Sequence, residues 1–442
     1  MNFLKKQTNE PTSKILSLNE AKEELKSYMI EAANSEWTSI FDEARAGVKG
    51  TYEKCINILQ KILEDEKITV QDYTLDQAAI EIFRDNYGLK ELDSFKHDPD
   101  VDEIQILPNG RVWITHQGKS KPTEIIYSEQ EIETIINRLT PTSDVGVSLD
   151  ESSPTMELVR PDGNRLTALC KPVVRGKGMV LRKHGNFTLE QQTFIDKKTF
   201  DFKVSEILKL FSRGLRNILI CGGGMSGKTT LLKWLAMQLP PHLSICVLET
   251  DNELRLIDHC PDRQIWELEA HPEIAKADID SLFPVILRVS PNVVLTPEFR
   301  GTGEVWVAIE SCTRGHTGMA TAHFTSFASV EEVIRNAAML AVQEKPSLPL
   351  EIVVERVAQA FQIIIQTYWD SSTGIRKITN ITEVVIDNGE ITYNPIVKWE
   401  PATEIYTGKG KWEILNKPSN KCCKEMQIYG IKETEIREIW GD

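Results

Sequence analysis

Residues 222–229 read Gly-Gly-Gly-Met-Ser-Gly-Lys-Thr, and their types and spacing fit one kind of chemistry. Gly222, followed at fixed offset by Gly227, Lys228 and Thr229, is the pattern G-x-x-x-x-G-K-[ST]. Glycine loses more backbone freedom on folding than any other residue, so such a run is costly to order unless a ligand needs bare backbone. Amide N–H groups from Gly223, Gly224, Met225 and Ser226 converge on phosphate oxygens only where side chains do not intervene. A helix opening at Lys228 adds its positive end. Lys228 is placed to reach the β and γ phosphates, Thr229 to ligate Mg²⁺, and Thr230 to extend the cradle. The expected ligands are ATP and Mg²⁺. A glycine-rich surface turn does not account for Lys228-Thr229 at that offset.

Hydrolysis needs more than a cradle: a carboxylate must position or deprotonate the attacking water. Ligands in parallel sheets sit at the carboxyl ends of strands, so acids there are the candidates. Glu298 follows the apolar run VVLT, and Glu253 follows ICVLE. A single acid after a strand is more often a solvated loop residue than a catalyst. Arg300, two residues past Glu298, joins the residues expected to face the nucleotide. His316 and His323 lie in RGHTGMATAH, with Cys312 nearby. That spacing fits no common zinc pattern, so a phosphate-sensing or structural role is expected in place of a metal site.

The elements that must position these residues fall into regions. Ser17-Leu18-Asn19-Glu20 has the form of a capping box, and Tyr52, Ile56, Leu59 and Leu63 recur at helical spacing. Residues 1–87 therefore read as a helical arm or bundle. From Val101 the period becomes two, with turns at Asn109-Gly110 and Asp162-Gly163 and a second capping box at Ser128-Glu131. Residues 88–190 read as an α+β domain. Ile218-Leu219-Ile220, Leu243–Leu248 and Val293-Val294-Leu295 are short apolar strands, and a helix from Lys228 to Leu239 ends at Pro240-Pro241. Strands alternating with helices predict an α/β domain over 200–395, a parallel sheet covered on both faces. Asn388-Gly389 turns one more hairpin, and 396–442 reads as a C-terminal tail.

The chain of 442 residues carries a formal net charge of −14, which opposes broad binding to a phosphate backbone and makes nucleic acid an unexpected partner. One basic island breaks the pattern. From Arg160 to His184 there are seven Lys or Arg and one acid, Asp162. It reads as a solvated face or as a phosphate-facing surface. No apolar run approaches the ~18 residues of a membrane span, and MNFLKKQTNEPTSK has no apolar signal region. A cytoplasmic chain that meets the membrane through a partner is expected. Eight cysteines without a C-x-x-C pair read as free thiols, with Cys422-Cys423 the pair to watch for redox chemistry.

These residues also carry a resemblance. LDESSP, RPDGNRL and VLRKH, then GGGMSGKTT, ETDNEL, LRVSPNVVLTPEFRG and GHTGMATAH, occur in order between about Gly88 and Glu400. Together they resemble the type II and type IV secretion and pilus-assembly ATPases, most of all the tight-adherence pilus (CpaF) branch. The resemblance implies a RecA-like domain, a homohexameric ring, nucleotide between the two domains, and an inner-membrane platform protein as partner. It implies Glu298 as the catalytic glutamate and Glu253 as the glutamate of the Asp box, meeting Mg²⁺ directly or through water. His316 and His323 fall in the His box, and Arg165 and Arg182 match arginines that close over the terminal phosphate. Glu249-Thr250-Asp251, Asn292 and Pro297 depart from the family pattern, and the His box is one residue short, which implies detuned turnover. Two other readings stand beside the motor: a nucleotide-binding scaffold with little or no hydrolysis, and a nucleic-acid-translocating RecA-like ATPase.

Overall fold

The computed structural model describes residues 13–31, 36–48, 50–140, 148–183, 189–272, 274–301, 303–402 and 409–441. Residues 1–12 and His184 of the VLRKH motif lie outside that set. The chain divides into two compact units, Met1–Phe187 and Thr188–Asp442.

The first unit opens with β1 (Lys14–Leu16), α1 (Leu18–Glu31), α2 (Glu36–Ala46), α3 (Thr51–Asp65), β2 (Ile68–Val70) and α4 (Leu75–Asn86). The Ser17 and Glu20 side chains form the expected reciprocal cap. On α3, Ile56, Leu59 and Leu63 are buried with Leu25, Phe41 and Ile82. Helical periodicity thus builds a core of its own. After α5 (Leu92–His97) come β3 (Val101–Ile106), β4 (Arg111–His116), β5 (Lys119–Ile126), α6 (Glu129–Leu139), β6 (Thr155–Val159), β7 (Arg165–Leu169) and β8 (Gly178–Arg182). β3 to β8 form an antiparallel sheet ordered β5-β4-β3-β8-β7-β6. Gly110 turns the first hairpin at φ +83°, and a Cβ there would lie 2.1 Å from the Tyr127 carbonyl oxygen. One face of the sheet buries Ile104, Ile106, Val112, Ile114 and Leu181 against Ile132, Ile135 and Ile136 of α6.

The basic island is where the sequence reading needs correction. Arg160 has a fully buried side chain. Its guanidinium donates to the carbonyls of Leu139 on α6 and Arg45 on α2, and pairs with Asp162. Lys183 donates to the carbonyls of Phe95 and Asp98, and Lys177 pairs with Glu133 at 2.8 Å. These three bases hold the first unit together and do not form a solvent-facing surface. Arg165 and Arg182 differ: they stand directly opposite each other on β7 and β8.

The second unit begins with α7 (Gln191–Asp196), α8 (Phe202–Arg213), β9 (Ile218–Gly222), α9 (Lys228–Gln238), β10 (Ile245–Glu249), β11 (Ile265–Glu269) and α10 (Ile279–Arg288). It continues through β12 (Val293–Phe299), α11 (Glu304–Thr313), β13 (Thr317–His323), α12 (Val330–Glu344) and α13 (Leu350–Ala360). It closes with β14 (Ile363–Trp369), β15 (Arg376–Asp387), β16 (Glu390–Pro401), β17 (Gly410–Ile414), α14 (Asn420–Ile428) and α15 (Glu433–Trp440). Nine strands form one sheet, β11-β10-β12-β13-β9-β14-β15-β16-β17. The first six are parallel and the last three antiparallel. Leu219 and Cys221 of β9 pack with α11, α12 and α13. The alternate residues Ile218 and Ile220 are equally buried, because parallel strands with crossover helices are covered on both faces.

The expected boundary at 395 falls inside β16. The segment after it is an integral part of the second unit: β17 completes the sheet, and Arg213 and Arg216 of the α8 region pair with Glu435 and Glu425. Cys422 and Cys423 are buried in α14 as free thiols, and burial pushes both above the usual thiol range, which removes the thiolate that redox chemistry needs. Among the described residues, no helix is long and apolar enough to cross a membrane.

Candidate active site

β9 ends at Gly222, where the chain leaves the sheet beside β14. A Cβ on Gly222 would lie 2.4 Å from both the carbonyl and hydroxyl oxygens of Thr367, and 2.8 Å from the Ser226 hydroxyl. Only glycine fits there. Gly227 caps α9 at φ +85°, and Met225 holds φ +61°, a conformation that non-glycine residues adopt sparingly. At Gly224 a Cβ would meet nothing within 4 Å, so the loop's outer backbone is open to a ligand. The loop is braced from behind. Ser226 donates to the Gly223 carbonyl at 2.8 Å and shares a hydrogen bond with the Thr367 hydroxyl at 2.8 Å. Arg376 donates to the Met225 carbonyl at 2.7 Å. Neither Thr367 nor Arg376 carries a local motif; strand order alone brings them here.

Lys228 is 5% exposed, and its ammonium donates to the Gly223 carbonyl at 2.9 Å. The same ammonium lies 3.3 Å from His323 Nδ1. An ammonium has only donors, so Nδ1 accepts and the imidazole proton sits on Nε2. That nitrogen faces Glu298 Oε1 at 2.9 Å. The other carboxylate oxygen of Glu298 receives Arg300 at 2.6 and 2.8 Å. Arg300 continues to Asp251 at 2.7 Å and to the Thr250 hydroxyl at 3.1 Å. A polar chain therefore runs from the phosphate loop through His323, Glu298 and Arg300 to the loop after β10. All its members sit at the carboxyl ends of β9, β10, β12 and β13, the edge where sheets of this kind hold ligands.

Local structure explains how Glu298 is aimed. Thr296 pairs with Ala320 and Phe299 with Ala322, leaving Pro297 and Glu298 opposite the single residue Thr321. Two residues against one is a β-bulge, a device that redirects a side chain. Pro297 has no N–H to give the ladder and is tolerated at such a point; the Thr321 hydroxyl ties the bulge down at the Pro297 carbonyl, 2.5 Å away. Burial pushes the Glu298 carboxyl up, but the bonds from His323 and Arg300 outweigh it and hold it at about 2. Burial lowers Arg300, and its bonds to Glu298 and Asp251 more than reverse that, raising it. Glu249 behaves in the opposite way. Burial dominates, pushing it to about 8 despite the Leu254 N–H that its oxygens share at 3.2 and 3.3 Å.

The remaining expected residues divide. Glu253 lies in the loop after β10, its backbone N–H bonded to the Asp251 carbonyl beside the Arg300 clamp. Thr229 and Thr230 occupy the first turn of α9. His316 is not brought to the phosphate loop within this chain: it precedes β13, its Nδ1 2.7 Å from the Pro291 carbonyl. His323 ends the same strand, roughly 20 Å away at the rise of an extended chain. The two histidines therefore cannot share one ion. Asn292 also lies at the amino edge, where its side chain accepts the Ser244 N–H at 3.0 Å, so this departure does not touch the nucleotide loop. Arg165 and Arg182 belong to the first unit.

A Methanocaldococcus jannaschii protein described as uncharacterized is 24% identical over 391 residues, which is 84% of this chain and 67% of that protein. The type IV secretion system protein PtlH of Bordetella pertussis is 26% identical over 178 residues, 39% of this chain; the match spans about half of PtlH, 51%. The crystal structure of the pilus retraction motor PilT with bound ADP shares 15% identity, covering 80% of this chain and 96% of that one, with a TM-score of 0.46. Residues 101–372 match the family described as Type II/IV secretion system protein, and the chain belongs to that family.

Proposed function

We propose that the protein binds and hydrolyses ATP with Mg²⁺ and works as a motor for pilus assembly, secretion or conjugation. One observation carries this reading: the continuous chain from Lys228 through His323 to Glu298 at the mouth of a glycine loop that admits no side chain at Gly222. The loop amides after Gly223, whose own N–H is taken by the Ser326 hydroxyl, hold the phosphates, and Lys228 exchanges the Gly223 carbonyl for β- and γ-phosphate oxygens. Glu298 stays ionised throughout the neutral range and positions the attacking water. Thr229 and Glu253 are the residues that would hold Mg²⁺, which neutralises phosphate charge when bound. Arg165 and Arg182 are register partners on neighbouring strands of the first unit. In this reading they belong to the part that closes over the terminal phosphate.

The motor reading extends to a homohexamer acting at the cytoplasmic face of the inner membrane on a platform protein, in the tight-adherence pilus branch. The family membership and the phosphate loop support it. A scaffold with little turnover is favoured by one observation, that both oxygens of Glu298 are engaged by cationic or N–H groups. Phosphate release from ATP well above that of a Lys228→Ala variant is expected; equal rates select the scaffold. Separately, Arg165→Ala or Arg182→Ala is expected to weaken ATP binding more than ADP binding, by about tenfold, as loss of one charge-assisted contact to the γ-phosphate. Equal losses for both nucleotides, read by calorimetry, return these arginines to a solvated face.

A further inference from the structure

His323 holds the centre of the polar chain, yet it is the last residue of β13 and its side chain is half exposed. Something must keep it between Lys228 and Glu298. The five residues that follow, before α12 begins at its Ser329 cap, form a strap with three attachments. The Ser326 hydroxyl accepts the Gly223 N–H at 3.1 Å. The Phe327 ring lies 5.0 Å from that of Tyr368. The Ala328 carbonyl accepts from the Gln366 amide at 2.8 Å. The last two go to β14, and Ser326 reaches the phosphate loop. Gly223 is also the residue whose carbonyl receives Lys228 and Ser226. Ser326 therefore fastens the strap carrying His323 to the residue whose carbonyl Lys228 rests against.

We infer that Ser326 is a positioning residue for hydrolysis: its hydroxyl, 8% exposed, fixes the phosphate loop relative to His323 and thereby to Glu298. The inference rests on the ATP-hydrolysing reading above. Without the hydroxyl the strap keeps both attachments to β14, so the fold survives while the alignment loosens. Misplacement of about 1 Å costs up to a hundredfold in rate.

The test compares the full chain with Ser326→Ala, Ser326→Thr and Lys228→Ala, measuring phosphate release against ATP concentration and the thermal midpoint of each. Ser326→Ala is expected to lower kcat by about tenfold or more with little change in KM, the pattern of an interaction that matters in the transition state and not in ground-state binding. Ser326→Thr, which keeps the hydroxyl, should retain most of the rate, and the midpoint of Ser326→Ala should stay near that of wild type. The inference is overturned if Ser326→Ala turns over like wild type, if only KM rises, or if both variants lose rate and midpoint together. Wild type no faster than Lys228→Ala would instead overturn hydrolysis itself.

Discussion

Exchanging Glu298 for glutamine is expected to leave ATP affinity unchanged while turnover falls by about ten- to a hundredfold or more. In the proposed reading affinity is set by the loop amides and Lys228, and His323 stands between that ammonium and Glu298. The glutamine can still accept from His323 through its amide oxygen, but it then turns an N–H₂ group toward Arg300, which has only donors to offer. Arg300 keeps Asp251 and Thr250, so the loop after β10 retains its anchor. What disappears is the negative charge at the bulge, and with it the group that orients water. Steady-state phosphate release together with a nucleotide titration separates the two effects; unchanged turnover removes Glu298 from the mechanism.

The acid–base position of Glu298 sharpens that expectation. Its folded value of about 2 lies below the ordinary carboxylate range near 4.3, so the ionised form persists as pH falls through the region where free glutamate protonates. The stabilisation from its two partners is present above that range and is lost only as pH approaches 2. Turnover should accordingly show no acid limb from Glu298 between about pH 5 and 8. So weak a base abstracts a proton poorly but holds a water's hydrogen well, which favours positioning over deprotonation. Glu249, pushed up to about 8, stays largely protonated at neutral pH and is suited to neither task.

Why the site was partly legible follows from where its residues come from. The phosphate loop is a continuous run, and its backbone demands are written in residue types: glycine at 222 because Thr367 crowds it, glycine at 227 because α9 starts from a left-handed residue. Glu298 and Glu253 were visible as acids beyond apolar strands. Ser326, Thr367 and Arg376 were not, because each reaches the loop through strand neighbours set only when β13, β9, β14 and β15 assemble. β13 itself, TGMATAH, has small residues and no alternation, since it is buried on both faces at the middle of the sheet. Reading it as a motif and not as a strand placed His316 and His323 together; the strand sets them at opposite ends. Pro297, a departure from the family pattern, marks a bulge that aims Glu298.

Arg160 gives the converse case and the largest expected effect on stability. Replacing it with methionine, similar in length and without charge, should destabilise the first unit by about 3–5 kcal/mol, the cost of removing one partner from a buried charged network. Three groups are left behind: the carbonyls of Leu139 and Arg45, and the Asp162 carboxylate, whose side chain is only 18% exposed. Asp162 cannot move off easily, because Gly47 at the end of α2 packs against it so closely that a Cβ there would lie 2.3 Å from its oxygen. Burial lowers the Arg160 pKa, which Asp162 partly restores, so the guanidinium remains charged at neutral pH and the network is a pairing of charges with backbone dipoles. Hydrogen exchange should then show lost protection in α2, in the last turn of α6 and in the β6–β7 hairpin, while the sheet of the second unit keeps its protection. Unchanged protection at those three places would make Arg160 a tolerated burial and its network dispensable to the first unit.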